Sequence, residues 1–358
     1  MRIGVLWINL TGYLNACLRE LNRMPGVELF VAHQSPRTEA PFNEEQFAWI
    51  QDQFRYTDKP NANELLAAVR RFDPELLIVA SWNVAGYRTV CKAMRKRTVR
   101  VCGMDNQWRG QPKQWLGVLT STIFVQRLFD AAFVTGERQA VFARKLGFPQ
   151  ERIWRGLYSC DFSQFDAARR EPVTSHSRRS FLYVGRLVPE KGIETLIAAY
   201  RRYRAEVREP WPLRIAGTGP LQSIVEREPG IDYQGFIQPE ALPSLLASAG
   251  CFVLASRFEP WGVVIHEAAA AGLPVICTAA CGSSDHLVKD GSSGFVVQTD
   301  DPPSLGEAMK KVSELSSEAR TKMGIASYEL ACQITPARWA NLVSQRGEEL
   351  IRVIRTAA

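Results

Sequence analysis

The sequence predicts an α/β protein built as two successive parallel-sheet domains. Three observations predict it. Short apolar runs alternate with helical patterns of 10–15 residues through both halves of the chain. A polar, arginine-rich stretch at residues 166–180 separates two such series. The 358 residues are too many for one ordinary domain and suit two of about 150–180 each.

In the first half, RIGVLWIN reads as a buried strand because its apolar run is nearly continuous. A loop at Leu10–Tyr13 and a helix through LNACLRELNR follow. Pro25-Gly26 marks a turn before the strand VELFVAH. ANELLAAVRRF has apolar residues at 65, 66, 69 and 72, a helical spacing, and Pro74 stops it. ELLIVAS is the next strand, VAGYRTVCKAMRKR a helix, and TVRVCGM and DAAFVTG are strands before the helix ERQAVFARKLG. Residues 166–180, DAARREPVTSHSRRS, lack apolar periodicity and read as a linker. The second half restarts with strands SFLYVGRL, WPLRIAG, CFVLAS, LPVICT and GFVVQ. Its helices are GIETLIAAYRRYRAE, ALPSLLASAG, VVIHEAAAAG and SLGEAMKKVSEL. Pro336 opens a last helix, ARWANLVSQRGEELIRVIR. Two Rossmann-like halves, about 1–165 and 166–336, with a cleft between them are expected.

Composition narrows the function. Hydrophobic residues make 46% and charged residues 23%, which excludes a disordered or fibrous chain. No apolar run reaches the roughly 18–20 residues of a membrane span. The N-terminal apolar run is interrupted by Asn9, Thr11 and Gly12, so a secretory signal is not expected and a cytoplasmic location is. The eight cysteines form no C-x-x-C, and only four histidines accompany them. Reduced, buried thiols are expected, and no zinc site. The net charge is +7, and all of the excess lies in the first half: residues 1–165 hold 22 basic and 15 acidic residues, the remainder 22 and 22. Between Arg88 and Arg127 there are nine basic residues and one acid, Asp105. Such a field favours an anionic partner.

Two constellations carry chemistry. In FLYVGRLVPEKGIETL the strand ends at Gly185, and Arg186 and Lys191 stand in the loop before a helix. Two cations beside a helix start can clamp a phosphate, although solvated loop residues would look the same. In SRFEPWGVVIHEAAAAGLPVI, Glu259 and Glu267 are separated by seven residues. Glu267, one turn into its helix, can accept bonds from a sugar diol. First-turn acids are also favoured by the helix dipole. That bland account does not cover the Glu-Pro-Trp-Gly loop before it.

GRLVPEKGIETL, LRIAGTGPL, YQGFIQPEALPSLLASAGCFVLASRFEPWGVVIHEAAAAGLPVI and DGSSGFVV, in that order, resemble the donor domain of the retaining GT-B glycosyltransferases of family GT4. The resemblance is close over about residues 181–300 and weaker over the first half. It implies a GT-B fold whose final helix, within 337–358, crosses back to the N-terminal domain. It implies transfer of a sugar from a nucleotide-diphosphate sugar, UDP- or GDP-linked, to a glycan or lipid-linked acceptor. Lipopolysaccharide, exopolysaccharide or glycolipid synthesis would be the setting.

By the same resemblance, Arg186 and Lys191 would bind the donor diphosphate and neutralise the leaving nucleotide. Glu259 would contact the transferred sugar, the Val263 and Val264 amides would hold phosphate oxygens, and Glu267 would bind the ribose. Gly235, Phe236 and Ile237 would border the base. Gly185, Gly217, Thr218 and Gly219 would line the same pocket, and Pro260, Trp261 and Gly262 the loop before the helix. Gly12 would let backbone approach the phosphate. Many family members carry a histidine just after an N-domain strand; here VCGMDNQW offers Asp105 and Asn106 instead. Asp105 would bond a donor or acceptor hydroxyl, or cap a helix. A Thr11-Gly12 pair stands where a double glycine is frequent. The family suggests that the donor phosphate takes the acceptor proton.

The chain has no D-x-D in its first half, and the Arg/Lys pair can replace a divalent metal, so metal independence and no cofactor are expected. Residues 109–129 place Trp115, Leu116, Leu119, Ile123 and Phe124 in a helical pattern flanked by Arg109, Lys113 and Arg127. This reads either as a face lying on an anionic bilayer or as part of the core. Trp82, Trp108 and Tyr87 either line an acceptor site or pack the interior. Two other enzyme-scaffold readings remain: a nucleotide-sugar epimerase, and a non-catalytic nucleotide-sugar-binding subunit. NLTGYLN after the first strand is not the glycine-rich turn of a nicotinamide-dependent dehydrogenase, and no nucleic-acid-binding signature accompanies the charge.

Overall fold

The computed structural model describes residues 1–35, 44–170 and 178–356. The chain divides into two compact units, Met1–Ser159 with Pro336–Ala358, and Cys160–Thr335.

The first unit holds seven strands: β1 Arg2–Asn9, β2 Glu28–Gln34, β3 Asp52–Tyr56, β4 Leu76–Val79, β5 Val99–Met104, β6 Ala131–Val134 and β7 Ile153–Arg155. They form one sheet in the order β3-β2-β1-β4-β5-β6-β7, and every neighbouring pair is parallel. The central strands are buried along nearly their whole length, as a sheet covered on both faces requires. The last helix, Pro336–Thr356, packs on the helix Gly12–Asn22 of this unit. Trp339 fixes it: its indole N–H donates to the Leu157 carbonyl at 2.9 Å, and its ring stacks on Phe133 at 5.9 Å.

The second unit holds β8 Phe181–Val184, β9 Leu213–Ala216, β10 Ile231–Gly235, β11 Cys251–Leu254, β12 Val275–Thr278 and β13 Gly294–Val297. Their order is β10-β9-β8-β11-β12-β13, again all parallel. Strand order reverses between β8 and β11, so the loops leaving their carboxyl ends diverge there and open a crevice. Both chemistry-bearing loops, 185–192 and 255–262, leave those two ends. Behind them Phe181 packs edge-on to Tyr203 and beside Trp211, at 5.2 Å in each case, and holds β8 in place.

Three strands lack a counterpart in the sequence reading: β3, β7 and β10. All three are sheet edges. An edge strand is short or half-exposed, so it lacks the apolar run that marks an interior strand. The helix Ser317–Ala331 has no helical signature in the sequence either, since its apolar residues are spread around it rather than striped. The expected loop at Leu10–Tyr13 is shorter: Gly12 and Tyr13 already belong to the helix Gly12–Asn22. The linker expected at 166–180 begins inside a helix, Phe162–Arg170, closed by Arg169 and Arg170 on Asp166. Its residues 171–177 lie outside the described residues. Tyr87 is core, fully buried with its hydroxyl 2.6 Å from that of Tyr56. All eight cysteines are free thiols and seven are buried; burial pushes Cys91 up to about 12 and also raises Cys102 and Cys251, so these thiols are inert at neutral pH.

Candidate functional site

The site in the second unit is built on the carboxyl ends of β8, β9 and β11. Close approach of their backbones sets its floor. Gly217 has φ +137°, and a Cβ there would sit 1.9 Å from the Gly185 carbonyl oxygen. Only glycine fits. The Gly217 N–H donates to the Gly235 carbonyl at 2.7 Å, and the Tyr233 hydroxyl donates to the Gly217 carbonyl at 2.9 Å. Gly185, Gly217, Thr218, Gly235 and Phe236 are thereby brought to one rim, where Phe236 is exposed and Ile237 packs on the core. Gly217→Ala should therefore destabilise the fold by about 3 kcal/mol. Gly12→Ala should leave stability within about 0.5 kcal/mol, because a Cβ at Gly12 meets nothing within 4 Å. Denaturant unfolding of the two variants checks the contrast.

Arg186 is exposed, and its guanidinium makes no hydrogen bond or ion pair among the described residues. Tyr183 holds the bend beneath it, donating from its hydroxyl to the Arg186 carbonyl at 2.9 Å. Lys191 ends a short 3-10 turn, and Gly192 at φ +66° starts the helix Ile193–Glu206. The Lys191 ammonium donates to the Glu259 carboxylate. The two expected donor ligands thus neutralise each other. Arg257, which the sequence reading did not single out, ties the two loops. Its N–H donates to the Glu190 carbonyl at 2.8 Å, and its side chain pairs with Asp300 at 2.7 Å and Glu194 at 3.3 Å.

Glu259 is buried, and its carbonyl accepts from the Gly282 N–H at 3.0 Å. Trp261 is buried too; its ring lies 5.5 Å from His286, and its indole N–H has no acceptor. A buried donor without an acceptor is rare in a finished interior and common where a ligand oxygen completes the site. Gly262 at φ +90° opens the helix Val263–Ala270, which has no side-chain cap, so the Val263 and Val264 amides at its start have no side-chain acceptor. Free first-turn amides and the positive dipole end favour an anion.

Glu267 lies one turn further along. Its carboxyl is half-buried and has no hydrogen-bond or ion-pair partner among the described residues. Burial alone raises it from 4.5 to about 7. The next residue toward the N-terminus, His266, is fully buried and holds the helix. Its Nδ1 accepts from the Cys160 N–H at 3.1 Å, and its Nε2 lies 3.2 Å from the Ala331 carbonyl. Burial pushes it down to about 4, so it is neutral at physiological pH. Nothing in the sequence marks this positioning role; a histidine among alanines reads as core.

In the first unit, Asp105 follows β5 directly and caps no helix. Its carboxyl accepts from the Tyr158 hydroxyl at 3.2 Å, and its carbonyl accepts from Gln139. Burial raises its pKa, opposed by the Tyr158 bond. Tyr13 packs edge-on to Tyr158 at 4.9 Å. Thr11 caps the Gly12 helix through its backbone only, with its hydroxyl buried and unpaired. Trp108 is partly buried against the core and packs on Phe142 at 5.6 Å. Among the described residues, no cluster of three or more histidine, cysteine or acidic side chains could hold a metal ion.

Residues 164–330 match the family described as glycosyl transferases group 1. The chain is 28% identical over 245 residues to an alpha-D-kanosaminyltransferase of Streptomyces kanamyceticus, covering 64% of this chain and 61% of that one. It is 28% identical over 218 residues to an O-antigen chain mannosyltransferase B of Escherichia coli, covering 56% and 55%. The matches thus span somewhat over half the length of these relatives. Among solved structures, HepE of Anabaena in complex with UDP has a TM-score of 0.75 at 15% identity, covering 96% of this chain and 99% of that one. A glycosyltransferase from Rickettsia africae has a TM-score of 0.76 at 12% identity, covering 100% and 99%. The likeness shows the fold, which is GT-B.

Proposed function

We propose, from the match of residues 164–330 to the glycosyl transferases group 1, that the chain belongs to that family and is a retaining glycosyltransferase. It moves a sugar from a nucleoside-diphosphate sugar to a glycan or lipid-linked acceptor in lipopolysaccharide, exopolysaccharide or glycolipid synthesis. It works in the cytoplasm and against the inner face of an anionic membrane, through residues 88–127. The observation that carries the reading is the convergence of Arg186, Lys191, Glu259, the uncapped helix start at Val263 and the unpartnered Glu267 on adjoining strand ends of one sheet. No role in packing requires an exposed arginine, an orphan Trp261 N–H and a lone carboxyl together.

The mechanism follows from charge. The diphosphate of the donor lies on the Val263 and Val264 amides with Arg186 and Lys191 beside it. The ribose diol donates to Glu267 and removes its isolation. Lys191 exchanges Glu259 for the diphosphate, which releases Glu259 to accept from sugar hydroxyls. As the glycosidic bond breaks, negative charge collects on the diphosphate, and fixed cations stabilise it most where water is scarce. The two cations meet this need without a metal, so EDTA is expected to leave turnover unchanged. Asp105 is the candidate partner for a hydroxyl of acceptor or donor.

The test is transfer of label from a panel of nucleotide sugars to a bacterial glycolipid and polysaccharide fraction. Acceptor-dependent labelling with the anomeric configuration retained is expected. Acceptor-independent isomerisation of the donor would make the protein an epimerase and overturn the reading. In the same assay Glu259→Ala should lower turnover about 100-fold and change nucleoside-diphosphate affinity less than threefold. An equal loss in both would make Glu259 a nucleotide ligand.

A further inference from the structure

The helix Pro112–Leu119 has no buried side chain. A helix this short is normally held by laying an apolar stripe on the protein interior. Here the stripe faces outward. Nine large apolar side chains are exposed among the described residues, and five fall within one run of ten: Trp115 (50% exposed), Leu116 (62%), Leu119 (74%), Ile123 (62%) and Phe124 (38%). The core alternative for these residues is therefore excluded.

The ridge has a built support. Gln111 and Gln114 form a reciprocal cap at the helix start, with Pro112 in its first turn. The Gln114 side chain also bonds the Gln107 carbonyl at 2.7 Å and the Arg109 N–H at 2.8 Å. Trp108 meets Trp115 edge-on at 5.1 Å, and the Lys145 ammonium lies over both rings. The base of the ridge is fixed while its tips face solvent.

The charges around it have one sign. No acid lies between Asp105 and Asp130, whereas Arg109, Lys113 and Arg127 do. Arg88 lies 6.0 Å over the Phe124 ring. Lys92, Arg95, Lys96 and Arg97 are exposed on the end of the neighbouring helix Ala85–Ala93 and just past it. A protein partner's interface is marked by a charge-depleted core inside a polar rim, with no requirement that the rim be basic. An apolar ridge whose own segment holds cations and no acid, and whose rings meet Arg88 and Lys145, matches a layer of phosphates over hydrocarbon.

We propose that residues 115–124 insert into an anionic bilayer. Leu116, Leu119, Ile123 and Phe124 enter the acyl boundary, Trp115 sits at headgroup level, and the surrounding arginines and lysines take lipid phosphates. This rests on the membrane contact proposed above and assigns it to named side chains; it makes no use of the nucleotide site.

The experiment is sedimentation of the full chain with vesicles of phosphatidylcholine, alone or mixed with phosphatidylglycerol, at low and high salt. Binding to the mixed vesicles with a blue shift of tryptophan emission is expected. Binding should be at least about tenfold weaker on phosphatidylcholine alone or at high salt. Leu116→Glu with Leu119→Glu should weaken it by about 100-fold, and Arg109→Gln with Lys113→Gln by about tenfold on the mixed vesicles only. Neither pair should change the melting temperature, since every substituted side chain is exposed. Absence of binding to either vesicle, or unchanged binding by the double-glutamate variant, would overturn the proposal. So would concentration-dependent self-association that the same variant abolishes without any vesicle binding. Nucleoside-diphosphate binding measured on the same preparation separates this failure from failure of the donor site.

Discussion

Lys191→Ala is expected to lower kcat/KM for sugar transfer by 10²–10³ or more, the scale on which a single charge-stabilising group at a reacting centre acts. The structure adds a second consequence. Lys191 and Glu259 are paired, with side-chain exposures of 16% and 12%. Removing the lysine leaves a carboxylate in a poor solvent without its partner, which costs about 1–3 kcal/mol after allowing for that exposure. A loss of activity in Lys191→Ala alone could then be ascribed to the fold. The variant Lys191→Met with Glu259→Gln removes both charges and keeps both shapes. It should recover most of the stability and none of the transfer. Thermal unfolding and initial rates on the three proteins decide it. Recovery of activity in the double variant would remove the lysine from the chemistry.

Glu267→Gln is expected to stabilise the protein and weaken its ligand. Its carboxyl is raised from 4.5 to about 7 by burial alone. Below the ordinary value the group is protonated both folded and unfolded and contributes nothing. Between 4.5 and about 7 the unfolded chain ionises while the native state keeps its proton, so stability falls as pH rises. Above that window the full penalty applies, up to about 3 kcal/mol. Glutamine has no charge to desolvate. The variant should therefore melt higher than the parent at pH 8 and together with it at pH 4. Nucleotide affinity should fall by about tenfold at pH 8, because the charge-assisted bonds from the ribose are lost. A variant less stable than the parent at pH 8 would show that Glu267 is a structural group.

These two residues also show how far the sequence could be read. The spacing of Arg186, Lys191, Glu259 and Glu267 was legible, because loops between an apolar strand and a helix are readable and strand ends collect ligands. The interior strands were legible for the same reason: burial on both faces leaves a continuous apolar run. Three of the four edge strands were not, while the fourth, Gly294–Val297, was. Asp52–Tyr56 and Ile231–Gly235 carry mixed polarity because one side of each meets water. The Lys191–Glu259 pair was not legible either, since it joins residues far apart in sequence through the β8–β11 pairing. His266 and Arg257 act through backbone carbonyls and neighbouring loops, and such bonds leave no pattern in a chain. The exposed ridge at 115–124 had two readings from spacing alone. Helical period states that apolar residues share a face, not what lies against it.

The most direct test of the donor site is calorimetric titration of the full chain with UDP, GDP and ADP, in EDTA and then with magnesium. One of the three should bind in EDTA, with little change on adding metal, and its binding should be at least tenfold weaker in Lys191→Ala. Its own sugar conjugate should compete for the same site. Binding of none of the three, or binding unchanged by the loss of Lys191, would contradict the account.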